Sequence, residues 1–225
     1  MIPSEGSFSF IISICMLKWG MPEPKEYLDG WIEFLGSHID LSKHPLIPRP
    51  ETEFWTEKIV KIIGNENVSV LDIFSGSGCI GVSLGKRCPN ARVTLADKTN
   101  YLTTPLSKNC KFVLSNLFTN LEGKYDYILA NPPYIPEGKG TAGIMGHEPK
   151  EALYAGKDGL SVILPFLEQA RSHLNEHGQI WMEFGEGQKG GITDLLRTFG
   201  YYKNFACSFH RDQYSKWRYL ICKSG

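Results

Sequence analysis

Apolar and polar positions alternate between two periods along most of this chain, and the alternation outlines a layered α/β domain. At 52–63, Phe54, Trp55, Ile59 and Ile62 or Ile63 recur at helical spacing, which predicts a helix with Thr52 as its cap. Residues 68–73 form a short, nearly continuous apolar run, as expected of a strand buried on both faces. A glycine-rich turn at 75–78 leads into a helix that runs to about residue 87. Further strands are predicted at 92–96, ending at Asp97, and at 111–115 and 126–130. A helix is expected over 159–175, with Pro165 tolerable only near its first turn. A strand at 179–184 and a helix at 192–199 follow, and strands at 202–209 and 217–222 close the chain with no helix between them. Strands alternating with helices predict a doubly wound, mainly parallel α/β sheet. The final helix-free pair predicts an antiparallel strand at or near an edge, and the ligand is expected at the carboxyl ends of the strands.

The first 45 residues break this rhythm. They carry Pro22 and Pro24, then a predicted hairpin over 31–41 with Gly36 and Ser37 near its turn. A proline-punctuated connector at 45–50 leads to the α/β region, so 1–45 is read as a short N-terminal segment and 46–225 as the main domain. The longest apolar run, 8–17, is broken by two serines and falls short of the roughly 20 residues a membrane span requires. It lacks a basic start and an obvious cleavage site, so it is expected to be a packed or amphipathic segment with no targeting role.

Composition narrows the class. The chain has 225 residues, is 42% hydrophobic, and balances 24 Lys and Arg against 24 Asp and Glu. It is too apolar for a disordered chain, and its zero formal charge argues against a large basic surface for nucleic acid. The six cysteines, Cys15, Cys79, Cys88, Cys110, Cys207 and Cys222, form no CxxC. They read as reduced thiols of a cytoplasmic protein, with no disulfide framework and no metal site. The basic clusters Lys86, Arg87 and Arg92, and Lys216 with Arg218, read as solvated faces.

Two motifs carry the chemistry. Gly76-Ser77-Gly78-Cys79-Ile80-Gly81 is a GxGxxG between a strand and a helix, where glycines admit a ligand to the backbone and the helix offers free N–H groups. The loop has no Lys or Arg to neutralise a diphosphate, and Asp72 four residues ahead would repel one while attracting an amino group. Asp97, at the end of the next strand, is placed to accept two ribose hydroxyls. These features suggest S-adenosylmethionine, with a nicotinamide dinucleotide as the rival and a plain glycine turn flanked by helix-capping carboxylates as the bland alternative. The second motif, Asn131-Pro132-Pro133-Tyr134, directly follows the strand at 126–130. Its prolines fix the backbone and remove two N–H donors, leaving carbonyl acceptors beside one side-chain amide. That arc suits a planar NH2 group, with one hydrogen to the Asn131 oxygen, one to the Pro132 carbonyl, and Tyr134 on the face of the plane. His147 is read as a loop residue, and no carboxylate or histidine is assigned as a catalytic base.

On these residues the sequence resembles the class I S-adenosylmethionine-dependent methyltransferases that modify amide or amino nitrogens, and within them the PrmC/HemK family. The likeness rests on Leu46-Ile47-Pro48-Arg49-Pro50-Glu51-Thr52-Glu53, on Val70-Leu71-Asp72 through Ser77-Gly78-Cys79-Ile80, and on Asn131 to Tyr134 continuing into Ile135-Pro136. It extends to Glu148-Pro149-Lys150-Glu151-Ala152-Leu153 and Gly156-Lys157-Asp158-Gly159-Leu160.

The resemblance implies a seven-stranded Rossmann-like sheet and methylation of the N5 amide of a glutamine in a peptide chain release factor, with S-adenosylhomocysteine as by-product. It assigns Asp72, Phe74, Ser75, Gly76, Ser77, Gly78, Asp97, Asn116, Leu117 and Asn131 to the cofactor, and Asn131, Pro132, Pro133 and Tyr134 to the substrate. Among these, Asn131, Pro132 and Tyr134 are the catalytic set, while Arg49, Pro50, Glu51 and Thr52 are expected to line the site. Phe74 stands where such enzymes usually have glycine, so its backbone is expected to meet the cofactor without a positive φ. Asn116 and Leu117 stand where the family often has an acidic and an aromatic residue near the adenine. Only about 45 residues precede the signature, so a reduced substrate-docking region is expected. The protein is expected to act as a monomer, with no direct nucleic-acid or membrane partner. The rival functions are methylation of a ribosomal-protein glutamine, methylation of a nucleic-acid amino group such as adenine N6, and a non-enzymatic S-adenosylmethionine-binding scaffold.

Overall fold

In the computed structural model, residues 22–139, 143–198 and 200–225 are described. The apolar run at 8–17 and Cys15 lie outside them. A short helix α1 (Lys25–Asp29) precedes the hairpin β1 (Trp31–Phe34) and β2 (Ser37–Asp40). Its turn residues Leu35 and Gly36 both have positive φ, 49° and 73°, the geometry whose twist matches a two-residue hairpin. The hairpin is tied to the domain at this turn. Glu53 accepts the Leu35 N–H at 2.6 Å, Lys86 donates to the Gly36 carbonyl at 2.7 Å, and Arg87 donates to the Leu35 carbonyl at 3.5 Å. Lys86 and Arg87 therefore have a docking role that charge clustering alone did not reveal.

The helix α2 (Pro50–Ile63) starts two residues before the sequence reading placed it. Pro50 occupies the first turn, where its missing N–H costs nothing, and Thr52 lies inside the helix instead of capping it. Trp55, Ile59 and Ile63 bury one stripe at i, i+4 and i+8, whereas Ile62 is exposed. Then come β3 (Ser69–Ile73), α3 (Cys79–Arg87), β4 (Arg92–Asp97), β5 (Cys110–Leu114), β6 (Tyr125–Ala130), a short helix α4 (Lys150–Leu153), α5 (Ile163–Ala170), β7 (Leu174–Glu183), α6 (Lys189–Thr198), β8 (Phe205–Arg211) and β9 (Trp217–Ser224). The helix expected over 159–175 is shorter at both ends. Leu174 pairs with Tyr125, so the chain has entered β7 five residues before the predicted strand start.

The seven strands lie in the order β5-β4-β3-β6-β7-β9-β8, parallel except for β9, which runs antiparallel to both neighbours one place in from the edge. One apolar core, including Trp55, Ile59 and Leu84, fills the face under α2 and α3. A second, including Phe166, Leu167 and Ile192, fills the face under α5 and α6. From β3 the chain winds outward through β4 and β5, and from β6 outward through β7. The order therefore reverses between β3 and β6, which opens a crevice at their carboxyl ends. Cys207 and Cys222 sit opposite each other in the β8–β9 register and form a disulfide. This corrects the expectation of six reduced thiols. The partners are cross-strand neighbours 15 residues apart, a spacing that carries no motif. Cys79, Cys88 and Cys110 are free thiols.

Candidate active site

The glycine loop between β3 and α3 sits over this crevice. Gly76 and Gly78 have φ of 51° and 81°, and a Cβ built on Gly76 meets nothing within 4 Å, so that backbone faces open space. Gly81 serves packing: a Cβ there would lie 2.5 Å from Leu95 and 2.9 Å from Asp72 Oδ2, so only glycine lets α3 approach the sheet this closely. Phe74 takes φ 63°, which corrects the expectation of an ordinary backbone. A left-handed residue other than glycine is strained by about 1–2 kcal/mol, and its ring packing edge-on against Phe166, centroids 5.7 Å apart, offsets part of that strain.

A cavity of about 240 Å³ opens beside the loop, lined in part by Phe74, Ser75, Gly76, Ser77, Asp97, Asn116, Leu117, Thr52 and Asn131. Asp97 is fixed at its wall, with Oδ2 accepting the Gly76 N–H at 2.9 Å and Oδ1 the Thr99 N–H at 3.0 Å. Burial raises its pKa, and these amide donors oppose the rise. Asp72 and Gly78 do not line the cavity. Asp72 is fully buried behind the loop, where Oδ2 accepts the Gly81 N–H at 2.8 Å and Oδ1 has no hydrogen-bond partner among the described residues. Desolvation pushes its pKa up to about 8. It thus ties the end of β3 to the first turn of α3. At the outer side of the cavity, the Tyr101 hydroxyl donates to Glu151 at 2.8 Å.

A second cavity of about 160 Å³ lies beyond Asn131. Arg49, Glu51, Pro132, Tyr134, Ile135, Met145 and Glu183 are in its wall, and it shares Leu46, Asn131 and Ala152 with the first. Pro133 faces the first cavity, and Pro50 lines neither. The segments flanking this second cavity are tied together. The buried Glu148 carboxylate accepts the Ile47 N–H at 2.8 Å and an ion pair from Arg49. The Tyr134 carbonyl accepts Gln188 Nε2 at 2.8 Å, and Ile135 exchanges backbone hydrogen bonds with Leu153 and Ala155.

The sequence reading missed Glu183. It is buried at the end of β7, where Oε2 accepts Thr52 Oγ1 at 2.7 Å and Trp55 Nε1 at 2.8 Å, and Oε1 accepts the Tyr134 hydroxyl at 3.1 Å. Asn131 Nδ2 donates to the same Thr52 oxygen at 3.2 Å. Burial raises the Glu183 pKa, opposed by the bonds from Trp55 and Thr52. Tyr134 is tethered through its hydroxyl, and burial followed by the Glu183 charge holds its phenol protonated.

The methyltransferase small domain model matches residues 52–148. A release factor glutamine methyltransferase of Streptococcus pneumoniae is 36% identical over 185 residues, 78% of this chain and 66% of that protein. Another, of Thermodesulfovibrio yellowstonii, is 33% identical over 80% of this chain and 70% of that protein. The chain belongs to the release factor glutamine methyltransferase family.

The fold agrees. The ribosomal protein L11 methylase of Lactobacillus delbrueckii superposes with a TM-score of 0.56, at 19% identity, over 80% of this chain and 82% of that one. As a member of this methyltransferase family the protein is an enzyme, and its methyl donor is S-adenosylmethionine. The first cavity fits that donor. It has an open glycine backbone at Gly76, a carboxylate held at its wall and no basic side chain in the loop itself. No helix among the described residues is long and apolar enough to cross a membrane.

Proposed function

We propose that the protein transfers the methyl group to the side-chain amide nitrogen of a glutamine in a peptide chain release factor. One observation carries this reading: Asn131 stands in the wall common to both cavities, so a planar amide entering the second can meet a donor held in the first.

An amide nitrogen is a poor nucleophile, because its lone pair is delocalised into the carbonyl. S-adenosylmethionine supplies a methyl already activated as a sulfonium, which leaves positioning and electrostatics to the chain. Asp97 and the backbone from Phe74 to Ser77 would hold the donor, and Asn116 and Leu117, in the wall of the same cavity, would contact its base. The Asn131 oxygen and the Pro132 carbonyl accept the two hydrogens of the substrate amide and turn its face toward the methyl. Pro133 stiffens that arc, and Tyr134, held by Glu183, packs against the amide plane. Arg49, Glu51 and Met145 flank the approach of the substrate loop. We read residues 46–225 as the catalytic domain and the enzyme as a cytoplasmic monomer. Equal numbers of acidic and basic residues favour a protein substrate over nucleic acid.

Labelled donor incubated separately with a release factor, ribosomal protein and DNA tests this reading. Label is expected on the release factor, and label on DNA alone would reverse the assignment.

A further inference from the structure

Asn131 has two chemically opposite ends, and the proposed reaction uses only one of them. An acceptor toward the substrate amide helps, whereas an NH2 group in that place would repel the amide hydrogens. The two orientations have nearly the same shape, so packing alone does not choose between them. The choice is made two bonds away.

Thr52 has a single hydroxyl proton. At 2.7 Å from Glu183 Oε2, that proton lies on the carboxylate, and the hydroxyl oxygen is left as an acceptor. Asn131 can satisfy it only with its NH2 group, at 3.2 Å, which turns its carbonyl oxygen away from Thr52. The carboxylate holds this direction. Trp55 Nε1–H, which can only donate, points at the same Oε2 from 2.8 Å, and the Tyr134 hydroxyl donates to Oε1, so both oxygens of the ionised group act as acceptors. The β6–β7 register explains how the parts meet: Ala130 pairs with Met182, so Asn131 and Glu183 leave adjacent strand ends together. We infer that Glu183 is a positioning residue that acts through Thr52 to fix the Asn131 amide with its oxygen toward the substrate, and that its Oε1 holds the Tyr134 ring in place beside it. This inference rests on the function proposed above.

The test compares Glu183→Gln, which keeps an acceptor opposite Thr52 and Trp55, with Glu183→Met, which has similar length and none. The Met variant is expected to lose about 100-fold in kcat with the donor Kd changed by less than about twofold, and the Gln variant less than about tenfold in kcat. Equal losses in the two would overturn the inference. Should the Met variant fail to fold, Thr52→Val leaves Glu183 in place and is expected to lose about 30-fold in kcat, largely restored by Thr52→Ser. In an Asn131→Ala background, Thr52→Val should cost nothing further, because its effect passes through Asn131, and a fully additive loss would refute that. One readout needs no turnover. The side-chain NH2 signals of Asn131, assigned in a nitrogen-15 spectrum by their loss in Asn131→Ala, should move in Thr52→Val. Unmoved signals refute the orientation, whereas a wild-type enzyme inactive on release factor refutes only the proposed substrate.

Discussion

Gly159→Ala tests whether the Asn131–Tyr134 arc depends on the loop packed behind it. Gly159 has φ +77°, and a Cβ there would lie 2.1 Å from the Tyr134 carbonyl oxygen, 2.9 Å from its carbon and 2.5 Å from Gln188 Nε2. The obstacle is backbone, and Gln188 donates to that same carbonyl at 2.8 Å, so the group cannot rotate away cheaply. Restoring ordinary contact requires a shift of about 1 Å, which at a catalytic arc can cost on the order of 100-fold in rate. Left-handed backbone strain adds about 1–2 kcal/mol and overpacking about 1–3 kcal/mol, a large share of a typical total of about 5–15 kcal/mol. Urea unfolding should show that destabilisation. Steady-state methyl transfer, measured where the variant is fully folded, should show kcat reduced by about 100-fold, with donor affinity changed little because Gly159 does not line the donor cavity. A folded variant with kcat within about threefold of wild type would refute the reasoning.

Three further perturbations separate the parts of the site. Asn131→Ala should lower kcat by about 100-fold or more, each tenfold being about 1.4 kcal/mol, while calorimetry still detects donor binding; near wild-type turnover would remove Asn131 from the chemistry. Asp97→Ala should weaken donor affinity by at least about tenfold, since it loses the tie to Gly76 and the acceptor proposed for the ribose, and an unchanged Kd would count against the placement of the donor. The third concerns pH. Burial raises the pKa values of Asp72 (to about 8), Asp97 and Glu183, so the folded protein binds more protons than the unfolded chain above about pH 4. The stability of the neutral Asp72 carboxyl is fully present below about pH 4 and is lost as pH rises through about 8. Asp72 alone should therefore cost the donor-free protein roughly 3–4 kcal/mol between pH 5 and pH 8, and Asp72→Asn should flatten that part of the slope. Stability that rises over this range would contradict the burial argument.

The parts of the candidate site that were legible in the sequence are those whose chemistry is local. The glycine loop, Asp97 and the Asn131–Tyr134 arc each sit at the end of one apolar strand, and a parallel sheet delivers all such ends to one edge. Glu183 was not legible, although it too ends an apolar strand, because its partners are 49, 128 and 131 residues away and meet it only through the β6–β7 register. The left-handed Phe74 was hidden for a similar reason, since the Phe166 ring that packs against it belongs to a distant helix. Asp72 is the converse case. Its spacing from Gly76 suggested ligand contact, whereas in the fold the tight approach of Gly81 encloses it and its carboxylate bonds to the first turn of α3. The Cys207–Cys222 disulfide likewise depends on strand pairing and has no mark in cysteine spacing.

The central claim, amide methylation of a release factor glutamine, is tested most directly by the chemical form of the transferred methyl. Release factor labelled from methyl-labelled donor should gain one methyl mass on a single glutamine-containing peptide, and acid hydrolysis should release the label as methylamine. Label retained through hydrolysis on another side chain, or found on nucleic acid in place of the protein, would contradict it.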